Sequence, residues 1–260
     1  MIQRADAVDT VAMETAARIA ELVRPWRIIL FGSRARGTAE PHSDYDFYIE
    51  VDVEGDTHKY TLDEAERRIV QSRPAGGPSF DFKVMKRGTL ERRRDDPGTI
   101  EWDVAREGKL LFADAAAPTT IAPAPRVRER PPKVPESVAE WLESAERDVR
   151  HADLLRRTST DYWPEICWLS QQMCEKFIKA LLVSRFVRPE RTHNLTELLA
   201  ATRRNGIDLG ALDDECALLT EHAIAPRYPA GMGLTEENAR VASAAANRIV
   251  SAVRALLRSK

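Results

Sequence analysis

The residues best suited to chemistry fall in one short stretch: Gly32-Ser33-Arg34-Ala35-Arg36-Gly37, then six residues, then Asp44-Tyr45-Asp46. Gly32 directly follows the apolar run 27–31 (RIILF), and a glycine placed just after a buried strand lets backbone amides approach an anion. Ser33 adds a hydroxyl donor and opens a helical turn whose N-terminus favours phosphate. Asp44 and Asp46, two apart on a strand, point to one face with backbones roughly 6–7 Å apart, a spacing from which two carboxylates reach one divalent cation. Asp81 lies between Phe80 and Phe82 in another strand-like run, 80–85 (FDFKVM). A charge there is costly unless compensated, and a metal shared with Asp44 and Asp46 supplies the compensation. Hard carboxylate oxygens suit Mg²⁺, and phosphoryl or nucleotidyl transfer uses such an ion to neutralise a triphosphate and its leaving group. Arg34 and Arg36 have three open readings: contacts to the triphosphate, surface residues, or braces that hold the loop by pairing with an aspartate.

These side chains need a scaffold, and hydropathy patterning supplies one. Residues 8–23 place Val8, Val11, Thr15, Ile19 and Leu22 at helical spacing, ahead of Pro25. Strands are expected at 27–31, at 44–51 (DYDFYIEV), at 80–85 after a Gly-Gly-Pro breaker, and at a short Leu-Leu-Phe run; helices are expected at 61–72 and near 99–107. In the second strand Phe47, Ile49 and Val51 face away from the carboxylates and anchor it. Helices interleaved with strands imply an α/β or α+β domain over residues 1–114, and the α+β form, a mixed sheet with flanking helices, is the one expected.

Residues 115–135 carry six prolines and four basic side chains against one acidic. Proline removes amide donors and fixes φ, so this stretch is expected to be an extended linker. Residues 136–260 show no strand pattern. Apolar stripes run through Val138, Leu142, Ala145, Val149 and Ala152, then through Ile166, Leu169, Met173, Phe177 and Leu181. Shorter helices are expected near 194–204 and 211–224. Thr235 is the expected N-cap of a last helix, with Glu236 and Glu237 where the dipole favours anions. This half reads as an all-α bundle.

Across 260 residues the net charge is −2, from 39 basic and 41 acidic side chains, so nothing in the total advertises a large nucleic-acid surface. No apolar run reaches the length of a membrane span, and MIQRADAVDT lacks a signal-peptide core. Cys167, Cys174 and Cys216 are odd in number and show no Cys-x-x-Cys pairing, which fits buried, reduced thiols in a cytoplasmic protein rather than a zinc site.

The stretch GSRARGTAEPHSDYDF resembles the signature of polymerase-β-type nucleotidyltransferases, in particular the minimal nucleotidyltransferases of bacteria. The likeness covers roughly 10–114, including the tail DDPGTIEWDVAREGKLLF. It implies that Gly32 and Ser33 bind phosphate, that Asp44 and Asp46 are paired metal ligands, and that Asp81 is the third carboxylate and the base toward an acceptor hydroxyl. It further implies Mg²⁺ as cofactor and ATP, or another nucleoside triphosphate, as co-substrate, with AMP transferred. Residues 136–260 are similar to HEPN domains, on Trp141, QQMCEKFIKALL (171–182), THNLTELL (192–199) and PRYP (226–229). That likeness implies a bundle that binds nucleotide or acceptor and forms a homodimer, with Trp163 and Trp168 as exposed aromatic candidates.

The acceptor is left open between a protein, an RNA and a small molecule. Two further readings stand beside the transferase: a HEPN ribonuclease toxin fused to its nucleotidyltransferase antitoxin, and a non-catalytic nucleotide-binding module. Some HEPN domains are ribonucleases with four to six residues between an Arg and a His, and Arg188 and His193, with four between them, satisfy that spacing. Pro189 between them disfavours helical presentation of the pair, and His193 is read instead as a cap on the helix that follows. The motif is expected later in the domain, near His222 and Arg227, where the order is reversed. Glu175, Lys176 and Lys179 are read as a surface pairing of Glu175 with Lys179.

Overall fold

The computed structural model describes residues 9–53, 61–72, 78–121, 134–158, 161–222 and 233–259. The chain forms two compact units, Met1–Asp95 with Thr99–Val127 and Asp96–Gly98 with Arg128–Lys260. Most of the proline-rich stretch (122–133), the Pro-Arg-Tyr-Pro segment and Arg227 lie outside the described residues.

In the first unit, Asp9 caps α1 (Thr10–Val23) by accepting the Val11 amide. There follow β1 (Arg27–Phe31), the single turn α2 (Gly32–Arg36), β2 (Tyr45–Val51), α3 (Leu62–Gln71), β3 (Phe80–Lys86), α4 (Thr89–Arg93), α5 (Ile100–Glu107) and β4 (Lys109–Ala113). A capping box between Thr61 and Glu64 starts α3. The four strands are ordered β3-β2-β1-β4. β1 runs antiparallel to β2 and β4, whereas β2 and β3 are parallel, and the crossover between them contains α3.

Both faces of the sheet are covered. On one, Tyr45, Phe47, Ile49 and Val51 of β2 pack with Phe80, Phe82 and Val84 of β3 against Ala12, Ala16 and Ile19 of α1 and Ile69 of α3. On the other, Ile29, Phe31 and Tyr48 pack with Leu90 of α4 and Val104 and Ala105 of α5. Double coverage explains why β1 is buried at every residue, a near-continuous apolar run rather than an alternating one.

The second face also holds charge. Arg27 and Glu50 are register partners across β1 and β2; both are buried, with Nε and Oε2 2.6 Å apart. Glu50 also accepts the Leu90 amide at 2.9 Å. Burial pushes the Glu50 carboxyl above its ordinary value even though Leu90 and Arg27 act the other way. The patterning of the sequence foresaw neither this pair nor α4.

The second unit comprises α6 (Ser137–Thr158), α7 (Trp163–Ser184), α8 (Leu195–Arg204), α9 (Asp213–Glu221) and α10 (Glu236–Arg258) among the described residues. α7 is the central element, and Phe177 through Val183 are all buried. Its stripe packs with Ala145 and Ala152 of α6 and with Ala242, Ala246, Ile249 and Val253 of α10. Thr235 caps α10 as expected, accepting the Asn238 amide while Asn238 reaches back to the cap. The three cysteines are buried and free, and burial pushes Cys167 up to about 11 and Cys216 up to about 12. Trp163 and Trp168 are not exposed as anticipated: both are partly buried against this core, because α7 presents more than one apolar face.

Candidate active site

The β1–α2 junction makes a sharp turn that a side chain would obstruct. Gly32 has φ +74°, and a Cβ built there would lie 2.1 Å from Asp46 Oδ2. The Asp46 carboxylate therefore rests directly on the Gly32 backbone, a contact that only glycine permits. Gly37, at φ +76°, ends α2, and the Thr38 amide closes the turn onto the Ser33 carbonyl at 3.0 Å.

Arg34 organises the loop that follows. Its Nε and Nη2 both donate to the Ser43 carbonyl, at 3.1 and 2.8 Å, and its guanidinium lies 3.8 Å from the Tyr45 ring centroid. Nη1 pairs with Asp9 at 3.3 Å, and the Tyr45 hydroxyl donates to the same carboxylate. Burial, then the hydrogen bond and charge of Asp9, push the Tyr45 phenol up to about 12. Arg36 donates to both oxygens of Glu107, at 2.7 and 2.6 Å. Of the readings open for these arginines, the structure shows both as braces, Arg34 on an aspartate and Arg36 on a glutamate.

Asp44 is exposed and stands one residue before β2, not within it, immediately after the carbonyl that Arg34 clamps. Asp46 is half-buried on β2. Asp81 is the second residue of β3 and the register partner of Asp46 across the parallel ladder. In-register residues of neighbouring strands share a face about 4.8 Å apart. The sheet thus brings Asp46 and Asp81 side by side, on the face that also carries Tyr48 and Glu50. Asp81 is not the costly buried charge expected of a mid-strand aspartate: its side chain is 45% exposed and pairs with Lys83 at 3.0 Å, because β3 begins at an open sheet corner.

Among the described residues, no three His, Cys, Asp or Glu side chains are gathered into a ready-made metal cluster. The donor set nevertheless suits a hard divalent ion: carboxylate oxygens on two register-paired positions and at a loop end beside them. Substituting Gly32 tests the seat of Asp46. Gly32→Ala and Gly37→Ala each carry left-handed strain of about 1–2 kcal/mol, but only the first drives a methyl group into Asp46, since nothing lies within 4 Å of a Cβ at Gly37. Gly32→Ala is expected to lose at least about tenfold more activity than Gly37→Ala, since small misplacements at a reacting centre are costly. Turnover of the two variants, with their melting temperatures, checks this.

In the second unit, Glu175 and Lys179 are corrected from surface residues to buried ones, with Nζ and Oε1 2.8 Å apart and side chains 7% and 9% exposed. Gln171 donates to Glu175 Oε2 at 3.1 Å and to the His193 carbonyl at 2.9 Å. The exposed His193 ring meets both Glu175 oxygens at 3.2 and 3.1 Å. The network is buried because α7 is enclosed on most sides, which i, i+4 spacing alone could not reveal. Lys176 pairs with Asp148 of α6 at 2.6 Å. The cap of α8 is Asn194, which accepts the Thr196 and Glu197 amides, so His193 is not the cap. Arg188 donates to the carbonyl of Pro97 in the same unit at 2.7 Å, while His193 turns to Glu175. His222 is buried, and burial lowers its imidazole below the ordinary value.

Residues 13–94 match the family model of the nucleotidyltransferase domain, a span that contains Gly32, Ser33, Asp44, Asp46 and Asp81. Residues 138–256 match that of the HEPN domain. Among solved structures, TT1696 from Thermus thermophilus is similar at 23% identity and a TM-score of 0.40, over 46% of this chain and 98% of that one. ST0689, an archaeal HEPN homologue, is similar at 26% identity and a TM-score of 0.38, over 46% and 98%. No curated protein matches. No helix among the described residues is long and apolar enough to cross a membrane.

Proposed function

Because this chain joins a nucleotidyltransferase domain to a HEPN domain, we propose that it transfers a nucleoside monophosphate, AMP from ATP, to an acceptor hydroxyl in a Mg²⁺-dependent reaction. The observation that carries this reading is the register pairing of Asp46 with Asp81 beside a glycine on which the Asp46 carboxylate is seated. Asp44, Asp46 and Asp81 are the residues that would hold Mg²⁺, which when bound neutralises triphosphate charge and stabilises departing pyrophosphate. The α2 turn orients the phosphates through the Ser33 hydroxyl; the Gly32 amide, expected to approach phosphate, instead donates to the Glu107 carboxylate at 2.9 Å. Asp81, whose side chain is 45% exposed at the start of β3, takes the proton of the acceptor hydroxyl as that hydroxyl's oxygen bonds to the α-phosphorus in line. The bond from that phosphorus to the bridging oxygen breaks, and pyrophosphate leaves. Most of the acceleration comes from positioning and from fixed charge.

The HEPN domain serves acceptor binding and homodimerisation, a two-fold pairing being the commonest way for identical chains to close. Sedimentation that gives only a 29.3 kDa species at all concentrations would exclude the dimer. Buried, reduced cysteines fit a cytoplasmic setting. The test of the transfer reaction is incubation with α-labelled ATP, Mg²⁺ and cell extract. Label on protein, RNA or a small molecule identifies the acceptor class, and label that stays entirely in nucleotide rejects the reading.

A further inference from the structure

The last residue of α5, Glu107, lies outside the span matched to the nucleotidyltransferase domain, yet it touches the turn on which Asp46 rests. Its side chain is 19% exposed. One oxygen accepts the Gly32 amide at 2.9 Å, and both accept from Arg36, at 2.7 and 2.6 Å. One carboxylate thereby ties the first residue of α2 to the last. A hydrogen bond to the Gly32 N–H fixes the peptide plane between Phe31 and Gly32, and with it the Cα against which Asp46 lies. Arg36, through Nη1, supplies the positive charge that lets a partly buried carboxylate sit near Asp46. The other end of α5 holds the same strand: Glu101, buried, accepts the Tyr48 hydroxyl at 3.1 Å, and Tyr48 is two residues beyond Asp46 on the same face. α5 therefore grips the acidic strand and the glycine turn together.

We propose that Glu107 is a positioning residue for Asp46, acting through its hydrogen bond to the Gly32 amide and held in place by Arg36. The proposal rests on the transferase reading for its effect on turnover, but its effect on the Asp46 carboxylate does not require turnover. Glutamine at 107 keeps an oxygen for the Gly32 amide and gives up the charge pair with Arg36; alanine gives up both.

The experiment compares Glu107→Ala and Glu107→Gln with the unaltered full chain, with three readouts. These are Mn²⁺ affinity by electron paramagnetic resonance, exchange of the Gly32 amide by NMR, and kcat and KM for the triphosphate. Glu107→Ala is expected to weaken Mn²⁺ binding and lower kcat, each by about 10–100-fold, the usual cost of losing a group that orients a metal-ligating side chain. The Gly32 amide should exchange faster, and KM should stay within about twofold, as expected of an effect on the reacting centre rather than on uniform binding. Glu107→Gln should restore most of the Mn²⁺ affinity and the amide protection, which a general loss of packing would not allow. Unchanged Mn²⁺ affinity in Glu107→Ala overturns the proposal, and so does a glutamine variant as impaired as alanine. If the unaltered protein transfers nothing while Mn²⁺ affinity still falls in the alanine variant and recovers in the glutamine one, the transferase reading fails and the positioning role stands.

Discussion

Asp46→Asn is expected to lower nucleotidyl transfer by at least about 10²–10³-fold, the scale on which removal of one preorganised electrostatic group acts. Asparagine has nearly the same shape, so it keeps its seat on Gly32 and its place beside Asp81, and only the charge is lost. Asp44→Ala should be comparably damaging to turnover. Asp44 is exposed on a loop end and Asp46 only half-buried, so neither contributes much core packing and melting should change little. Surface substitutions of this sort ordinarily shift stability by no more than about 0.5 kcal/mol. Label transfer from α-labelled ATP and thermal unfolding, run on the same preparations, separate lost chemistry from lost fold. A fully active Asp46→Asn protein would remove Asp46 from the catalytic site.

The largest stability effect is expected in the other unit. Glu175→Ala should destabilise the helical bundle by about 3–5 kcal/mol, because it strands the buried Lys179 ammonium without its counter-charge. Removing both charges in Glu175→Ala/Lys179→Met should recover most of that loss, since a buried pair replaced by apolar groups is often neutral or better. Burial by itself raises the Glu175 carboxyl, but the hydrogen bond and charge of Lys179, with Gln171 and His193, outweigh it and leave the group below its ordinary 4.5. A carboxyl held lower in the folded state than in the unfolded one stabilises fully above the unfolded value. That stabilisation disappears as pH falls through the folded value. Urea unfolding followed from pH 7 down to about pH 3 should therefore show a steeper acid loss in the unaltered protein than in the double variant. A single variant as stable as the double one would show that Lys179 is not stranded.

What could be read in the sequence was what depends on local order. The run 27–31 is a strand because four consecutive β-branched or large apolar residues, Ile28 to Phe31, need cover on two faces, and helices provide it. Thr235 was legible as a cap because capping chemistry is confined to a few adjacent residues. The glycine turn and Asp44, Asp46 and Asp81 were likewise marked by type and spacing, although β2 begins only at Tyr45. The features that escaped depend on residues far apart in the chain. Arg27 and Glu50 look like polar ends of strands until their register makes them partners. Glu175 and Lys179 carry the signature of an exposed helical pair and are buried only because α7 is surrounded. Glu107 gives no local sign of its role, since its partners Gly32 and Arg36 lie more than 70 residues earlier.

The most direct test of the central claim runs the labelled reaction in Mg²⁺ and in EDTA, with the unaltered protein, Asp46→Asn and His193→Ala, beside a labelled RNA. Transfer of the α-phosphate label is expected in Mg²⁺, with its loss in EDTA and in Asp46→Asn, its retention in His193→Ala, and the RNA left intact. RNA cleavage that persists in EDTA and vanishes in His193→Ala, with no label transferred under any condition, would contradict that claim.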